Sequence, residues 1–160
     1  LSSFMGNAVI TDKLCYLLIG DLSFFYDMNG LWNRYIGKNI RIMLNNNEGA
    51  GIFHYTKSIE KIPTLDRHIA AEHTAKAKSW VESRGFMYLS AENKEEFDEK
   101  IKLFNNLNSE KPIFFEVFTN KETNSQLLRN YNIYLSSSNT KGLKSTVKSA
   151  LKSVLFRKDK

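Results

Sequence analysis

Two apolar runs each end in a cluster of polar residues that could hold a cation. Leu14–Ile19 (LCYLLI) runs into Gly20-Asp21-Leu22-Ser23, and Ile40–Leu44 (IRIML) runs into Asn45-Asn46-Asn47-Glu48-Gly49. If the two runs are neighbouring parallel strands, the Asp21 carboxylate and an Asn amide oxygen face one cavity beyond the strand ends, where open parallel sheets bind ligands. A carboxylate, a carboxamide oxygen and a loop carbonyl form a hard, all-oxygen donor set. Such a set suits Mg²⁺ or Ca²⁺, with phosphate oxygens and water completing the shell. Amides at the start of a helix opening near Ser23 would face those phosphates. Each cluster also has a plainer reading, Asp21 as a helix cap and the asparagines as a turn. Their occurrence at consecutive strand ends favours the ligand site.

The elements that must position these groups alternate along the chain. Both apolar runs are too short for helices and read as strands buried on both faces. Between them, Phe24, Met28, Leu31, Trp32 and Tyr35 have helical spacing over Ser23–Ile36, with Ser23 as N-cap. Strand, helix and strand with short links predict a right-handed βαβ crossover. Further on, the pattern predicts a helix over Arg67–Ser83 closed by Arg84-Gly85, a strand over Phe86–Leu89 and a helix over Glu95–Leu107. A buried strand over Pro112–Phe118 and a helix over Thr123–Tyr134 follow. The expectation is a doubly wound α/β fold, mostly parallel, with helices on both faces. A domain over 1–135 would then be followed by a polar linker and a basic amphipathic helix in 136–160.

Composition limits the function classes. The 160 residues are 42% hydrophobic and 25% charged, as in an ordinary globular domain, and 8 Gly with 2 Pro exclude collagen-like and proline-rich chains. A single cysteine, Cys15, excludes an internal disulfide and a multi-cysteine zinc site. Neither a secretory signal nor a membrane-spanning run is present, so the expectation is a cytoplasmic protein. The net charge of +6 is confined to the tail. From Lys141 onward seven cations stand against Asp159, leaving sixteen residues of each sign over 1–140. The body is neutral, which argues against nucleic acid as a partner.

Gly20-Asp21, followed after 24 residues by Asn46-Asn47, resembles the GD…NN signature of thiamine diphosphate-dependent enzymes. GDLSFFYDMNGL (Gly20–Leu31) and NNNEGAGIF (Asn45–Phe53) are similar to the 2-succinyl-5-enolpyruvyl-6-hydroxy-3-cyclohexene-1-carboxylate synthases of menaquinone biosynthesis. HTAKAKSW and FEVFTNK are compatible but less diagnostic. The resemblance covers about residues 1–132. It implies that Asp21, the Asn47 side chain and the Gly49 carbonyl bind Mg²⁺. It further implies that Gly20, Leu22 and Ser23 approach the diphosphate and that Ile52 and Phe53 line the substrate cavity. Glu48 receives no role. The implied reaction decarboxylates 2-oxoglutarate on thiamine diphosphate and adds the succinyl carbanion to isochorismate.

The family's activating glutamate belongs to a pyrimidine-binding domain not found in these residues, so no catalytic residue is assigned. Leu1 is not an initiator methionine and a helix precedes the first strand, so the expectation is a piece of a longer enzyme, cut at its N-terminus. That domain, in the same chain or a partner subunit, and a second copy in a homodimer are the implied partners, with a 2-oxo acid as substrate. Two alternatives remain: the diphosphate-binding subunit of a split 2-oxo acid decarboxylase, and a non-catalytic α/β binding module.

Other candidates are weaker. His54, His68 and His73 lack metal-ligand spacing and read as solvated or capping residues. Gly37-Lys38-Asn39 lacks the flanking residues of a P-loop, and Cys15 reads as core. Phe24, Phe25 and Trp32 read as packing residues rather than a base-stacking platform. In the tail, Lys144, Lys148 and Lys152 lie opposite Leu143, Val147 and Leu151. That helix would pack on a protein surface or, as the lesser alternative, on an anionic membrane.

Overall fold

The computed structural model describes residues 1–56, 58–59 and 61–137, which fall into two compact units, 1–48 with 73–119 and 49–72 with the described residues from 120 onward. The elements run α1 (Ser2–Ala8), β1 (Cys15–Gly20), α2 (Asp21–Asp27), a 3₁₀ turn (Met28–Leu31), β2 (Ile40–Asn46), α3 (Ile52–Tyr55), a π-helical turn (Leu65–Ile69), α4 (Lys78–Ser83), β3 (Met87–Ala91), α5 (Lys94–Phe104), β4 (Ile113–Phe118) and α6 (Lys121–Ser137). The basic helix expected over 143–156, and the linker beyond 137, lie outside the described residues.

The first unit is a four-stranded parallel sheet in the order β1-β2-β4-β3. Strand pleating sends alternate side chains to opposite faces. Ile40, Ile42, Leu44 and Phe114 are fully buried on one face, among Met5 of α1, Phe24 of α2 and Val81 of α4. The Phe24 and Phe114 rings pack at 5.0 Å between centroids. Ile113 and Phe115 point to the other face, against Phe104, Phe97 and Ile101 of α5. Each of these buried large side chains contributes roughly 1.5–3 kcal/mol of burial. Helices cover both faces of a parallel sheet, which is the doubly wound arrangement expected from the alternating pattern.

Several local expectations are corrected. β1 is not buried on both faces: Cys15, Leu17 and Ile19 pack on the first core, whereas Tyr16 and Leu18 are 44% and 73% exposed. α5 lies over β3 and β4 and reaches β1 at Tyr16, whose ring stands edge-on to Phe104 at 5.8 Å, leaving Leu18 open among the described residues. The helix expected over Ser23–Ile36 instead begins at Asp21 with Gly20 as N-cap and gives way to the 3₁₀ turn at Met28. Ser23 therefore lies in the first turn. Trp32, beyond the 3₁₀ turn, is 71% exposed rather than packed, while Phe24 is buried as expected. Cys15 is only partly buried, and its thiol donates to the Lys13 carbonyl at 3.3 Å.

The largest correction concerns Arg67–Ser83. Only Lys78–Ser83 is α-helical, Ala71 has φ 49°, and the backbone between has no helical turn. The alanines favour helix intrinsically, but tertiary hydrogen bonds take the backbone groups a helix would use. Asn46 Nδ2 donates to the Ala75 carbonyl at 3.0 Å, and the Ala77 N–H donates to both Glu116 carboxylate oxygens at 3.2 Å.

In the second unit α6 is fastened to the residues that include α3. Lys121 Nζ lies 2.9 Å from Asp66 Oδ1 and 2.6 Å from Glu72 Oε1. Ser125 Oγ donates to the Gly51 carbonyl at 3.0 Å, and Arg129 donates to the carbonyls of Tyr55, at 3.1 Å, and His54. No helix of the described residues is long and apolar enough to cross a membrane.

Candidate functional site

β1 and β2 are neighbours in register, with Gly20 opposite Asn45, so their polar ends emerge side by side. Asp21 is 3% exposed. Its Oδ1 accepts from its neighbour, the Leu22 N–H, at 2.7 Å, and its Oδ2 accepts from the Asn47 N–H at 3.0 Å. These backbone donors fix the plane of the carboxylate. Asp21 and Asn47 thus meet through the Asn47 backbone N–H.

The turn after β2 is held in an uncommon conformation. Glu48 has φ 63°, and its N–H donates to Asn46 Oδ1 at 3.2 Å. Gly49, which opens the second unit, has φ 145°; a Cβ there would stand 2.7 Å from the Ala70 carbonyl. That position requires glycine on both grounds. Gly20 is different. Its φ of −81° suits any residue, and a Cβ would meet nothing within 4 Å. Leu22 is half-buried, Ser23 is exposed, Ile52 is 57% exposed and Phe53 is half-buried in α3.

Sequence reasoning missed two residues. His73 has no recognisable spacing, yet its Nε2 lies 3.4 Å from Asp21 Oδ2 and its ring stands edge-on to Phe25 at 5.3 Å. His73 Nδ1 accepts from the Ala75 N–H at 3.1 Å, which places the proton of a neutral ring on Nε2. Among the described residues that buried nitrogen makes no well-formed hydrogen bond. It is neither solvated nor a cap. Glu116 is the other: fully buried on β4, it accepts from Tyr88 Oη at 2.7 Å, Asn46 Nδ2 at 2.8 Å and the Ala77 N–H. A glutamate inside the apolar run PIFFEVF was the available signal. Burial first, and then the bond to Glu116, raises the Tyr88 phenol above its ordinary range.

The remaining candidates fall elsewhere. His54 Nε2 lies 2.8 Å from Asp66 Oδ1, His68 is exposed, and Lys38 pairs at the surface with Glu110. Among the described residues no cluster of three or more His, Cys, Asp or Glu side chains is placed to hold a metal ion. A cation beside Asp21 would therefore depend on amide and carbonyl oxygens.

No family model matches the chain. Individual relatives do. It is 46% identical over 132 residues to the 2-succinyl-5-enolpyruvyl-6-hydroxy-3-cyclohexene-1-carboxylate synthase of Phocaeicola vulgatus, and 44% identical over 132 residues to that of Bacteroides thetaiotaomicron. To the synthase of Flavobacterium psychrophilum it is 36% identical over 130 residues. The first two matches cover 82% of this chain and 24% of the relative, so the chain spans about a quarter of the length of the curated relatives it matches. By sequence, the matched residues belong to the family of 2-succinyl-5-enolpyruvyl-6-hydroxy-3-cyclohexene-1-carboxylate synthases.

Proposed function

We propose that this chain is the part of such a synthase that binds the diphosphate of thiamine diphosphate through Mg²⁺, in an enzyme that decarboxylates 2-oxoglutarate and adds the succinyl unit to isochorismate for menaquinone biosynthesis. The observation that carries the reading is the hydrogen bond from Asn47 N–H to Asp21 Oδ2, which joins the two halves of the GD…NN pattern at adjacent strand ends. Bound thiamine diphosphate would supply the electron sink for decarboxylation; the protein binds, orients and shields it.

The residues present fit that group. Asp21 and the Asn47 amide oxygen offer hard donors for Mg²⁺, with the Gly49 carbonyl as the third donor the resemblance implies. The buried Nε2 of His73 lies 3.4 Å from Asp21 Oδ2 without a well-formed hydrogen bond among the described residues, and a phosphate oxygen beside Asp21 would give it one. The open space over Gly20 leaves room for the diphosphate to approach, and Leu22 N–H and the Ser23 hydroxyl flank that approach. Ile52 and Phe53 would form an apolar wall of the substrate cavity. The pyrimidine-binding domain and a second subunit complete the site. A cytoplasmic location accords with this role.

Calorimetric titration of thiamine diphosphate and Mg²⁺ into the enzyme assembled with its pyrimidine-binding domain tests the reading. Asp21→Ala or Asn47→Ala should weaken binding by more than the ~1 kcal/mol of an ordinary hydrogen bond, because the cation loses a ligand against the diphosphate charge. Unchanged affinity in folded variants would remove both residues from the site.

A further inference from the structure

Glu116 lies on β4, away from Asp21 and Asn47 in sequence, yet it anchors a closed ring of hydrogen bonds that ends at the turn carrying Asn47. Its Oε1 accepts from Asn46 Nδ2 at 2.8 Å. The other Asn46 amide hydrogen goes to the Ala75 carbonyl at 3.0 Å, so both donors of that side chain are committed. The amide oxygen must then face the opposite way, where it accepts from the Glu48 N–H at 3.2 Å. From Glu48 the ring returns through His73: the His73 N–H donates to the Glu48 carbonyl at 3.2 Å, and the Ala75 N–H donates to His73 Nδ1 at 3.1 Å. Glu116 also holds the Ala77 N–H with both oxygens and takes the Tyr88 hydroxyl on Oε2.

We propose that Glu116 is a positioning residue for the cofactor turn: by committing the Asn46 amide it holds Glu48 in its left-handed conformation and thereby sets where Asn47 sits beside Asp21. The physical case rests on cost. Glu48 at φ 63° is strained, and such a conformation persists only where the surroundings over-determine it. A fully buried carboxylate is likewise retained only where its oxygens are fully used. The two costs meet in one amide side chain, Asn46. This inference rests on the cofactor reading for its purpose, though the restraint itself is a property of the chain alone.

Residue-resolved amide exchange on the ligand-free chain, paired with titration of Mg²⁺ and thiamine diphosphate into the enzyme assembled with its pyrimidine-binding domain, tests it. Glu116→Ala should speed exchange at Glu48 and Asn47 at least tenfold while amides in β1 and α5 keep their protection, and should weaken cofactor binding at least tenfold. Glu116→Gln, whose carbonyl oxygen can still accept from Asn46, should restore both to within about threefold of the native chain. Asn46→Ala cuts the relay while keeping the Glu116 carboxylate, and should reproduce the loosening even if Glu116→Ala fails to fold. Tyr88→Phe removes a donor from the same carboxylate without touching Asn46, and should leave the turn protected. Unchanged exchange at Glu48 in Glu116→Ala and Asn46→Ala overturns the proposal, as does loosening spread evenly over the sheet or matched by Tyr88→Phe. Native exchange at the turn together with no affinity for the cofactor in the enzyme assembled with its pyrimidine-binding domain overturns the cofactor reading instead.

Discussion

The guanidinium of Arg41 donates from Nε to the Phe104 carbonyl at 2.9 Å, tying β2 to the end of α5 across 63 residues. Nη2 donates to the Asn106 carbonyl at 2.7 Å, and Nη1 to those of Lys38 and Ile40 at 2.7 and 3.0 Å. The side chain is fully buried, and burial lowers its affinity for the proton. A cation at a helix C-terminus is favoured by the carbonyls left unpaired there.

Arg41→Met keeps an unbranched apolar stem but loses the guanidinium and its four hydrogen bonds, leaving carbonyls without partners. We expect a loss of about 2–4 kcal/mol in denaturant unfolding at neutral pH. Arg41→Lys should recover only part of it, because an ammonium cannot span the fork of carbonyls. A loss below 0.5 kcal/mol, on the order of an ordinary surface change, would show that the clasp is dispensable.

The Lys121 cluster gives the second unit a pH dependence. The Lys121 hydrogen bond, and after it that of His54, holds the Asp66 carboxyl below its ordinary range. Burial works to lower the Lys121 ammonium, but the bonds to Glu72 and Asp66 outweigh it. A depressed carboxyl contributes stability above its unfolded pKa and loses it as pH falls through the folded one. Lys121→Met should therefore destabilise by about 1 kcal/mol or less at pH 7, since its partners are half exposed. Melting curves of the two proteins should converge toward pH 3. A gap that stays constant with pH would assign the effect to lost packing instead.

A cluster of exposed aromatics leads us to expect self-association of the chain. Tyr26, Trp32 and Tyr35, in and just after α2 and its 3₁₀ turn, are 81%, 71% and 64% exposed. We expect concentration-dependent self-association by sedimentation, reduced by Trp32→Ser. A chain that sediments as a monomer at high concentration would count against an assembly role for these rings.

The 160-residue chain should not release CO₂ from 2-oxoglutarate with thiamine diphosphate and Mg²⁺ present. Asp21 would be committed to the metal, and Glu116 is enclosed by Tyr88, Asn46 and Ala77. Addition of a pyrimidine-binding domain in trans should restore turnover. Robust turnover by the chain alone would reveal a base assigned no role above.

The strands were legible because their apolar runs are continuous and stop at Gly20-Asp21 and Asn45-Asn46-Asn47, and the pairing of those ends followed from the spacing. Which face each strand buries was not legible: Leu18 and Leu17 look alike in a run, and only the placement of α5 leaves Leu18 open. The Ala-rich stretch before α4 misled because helix propensity is local, whereas Asn46 and Glu116 reach it from other strands. His73 was hidden for the same reason. Its partner, Asp21, is 52 residues away in sequence, and no periodicity encodes that meeting.

Glu48 carries a consequence for how this protein tolerates change. Glycine would adopt its backbone without strain, but would also enlarge the freedom of the unfolded chain, so the net effect of Glu48→Gly on global stability should be small. Its effect on local order should not be small, since a glycine there also samples other conformations. Thermal robustness and loop fidelity are separable at this one position. A screen for heat resistance alone would pass variants whose turn has lost its shape, and a β-branched replacement such as Glu48→Val would fail both tests at once.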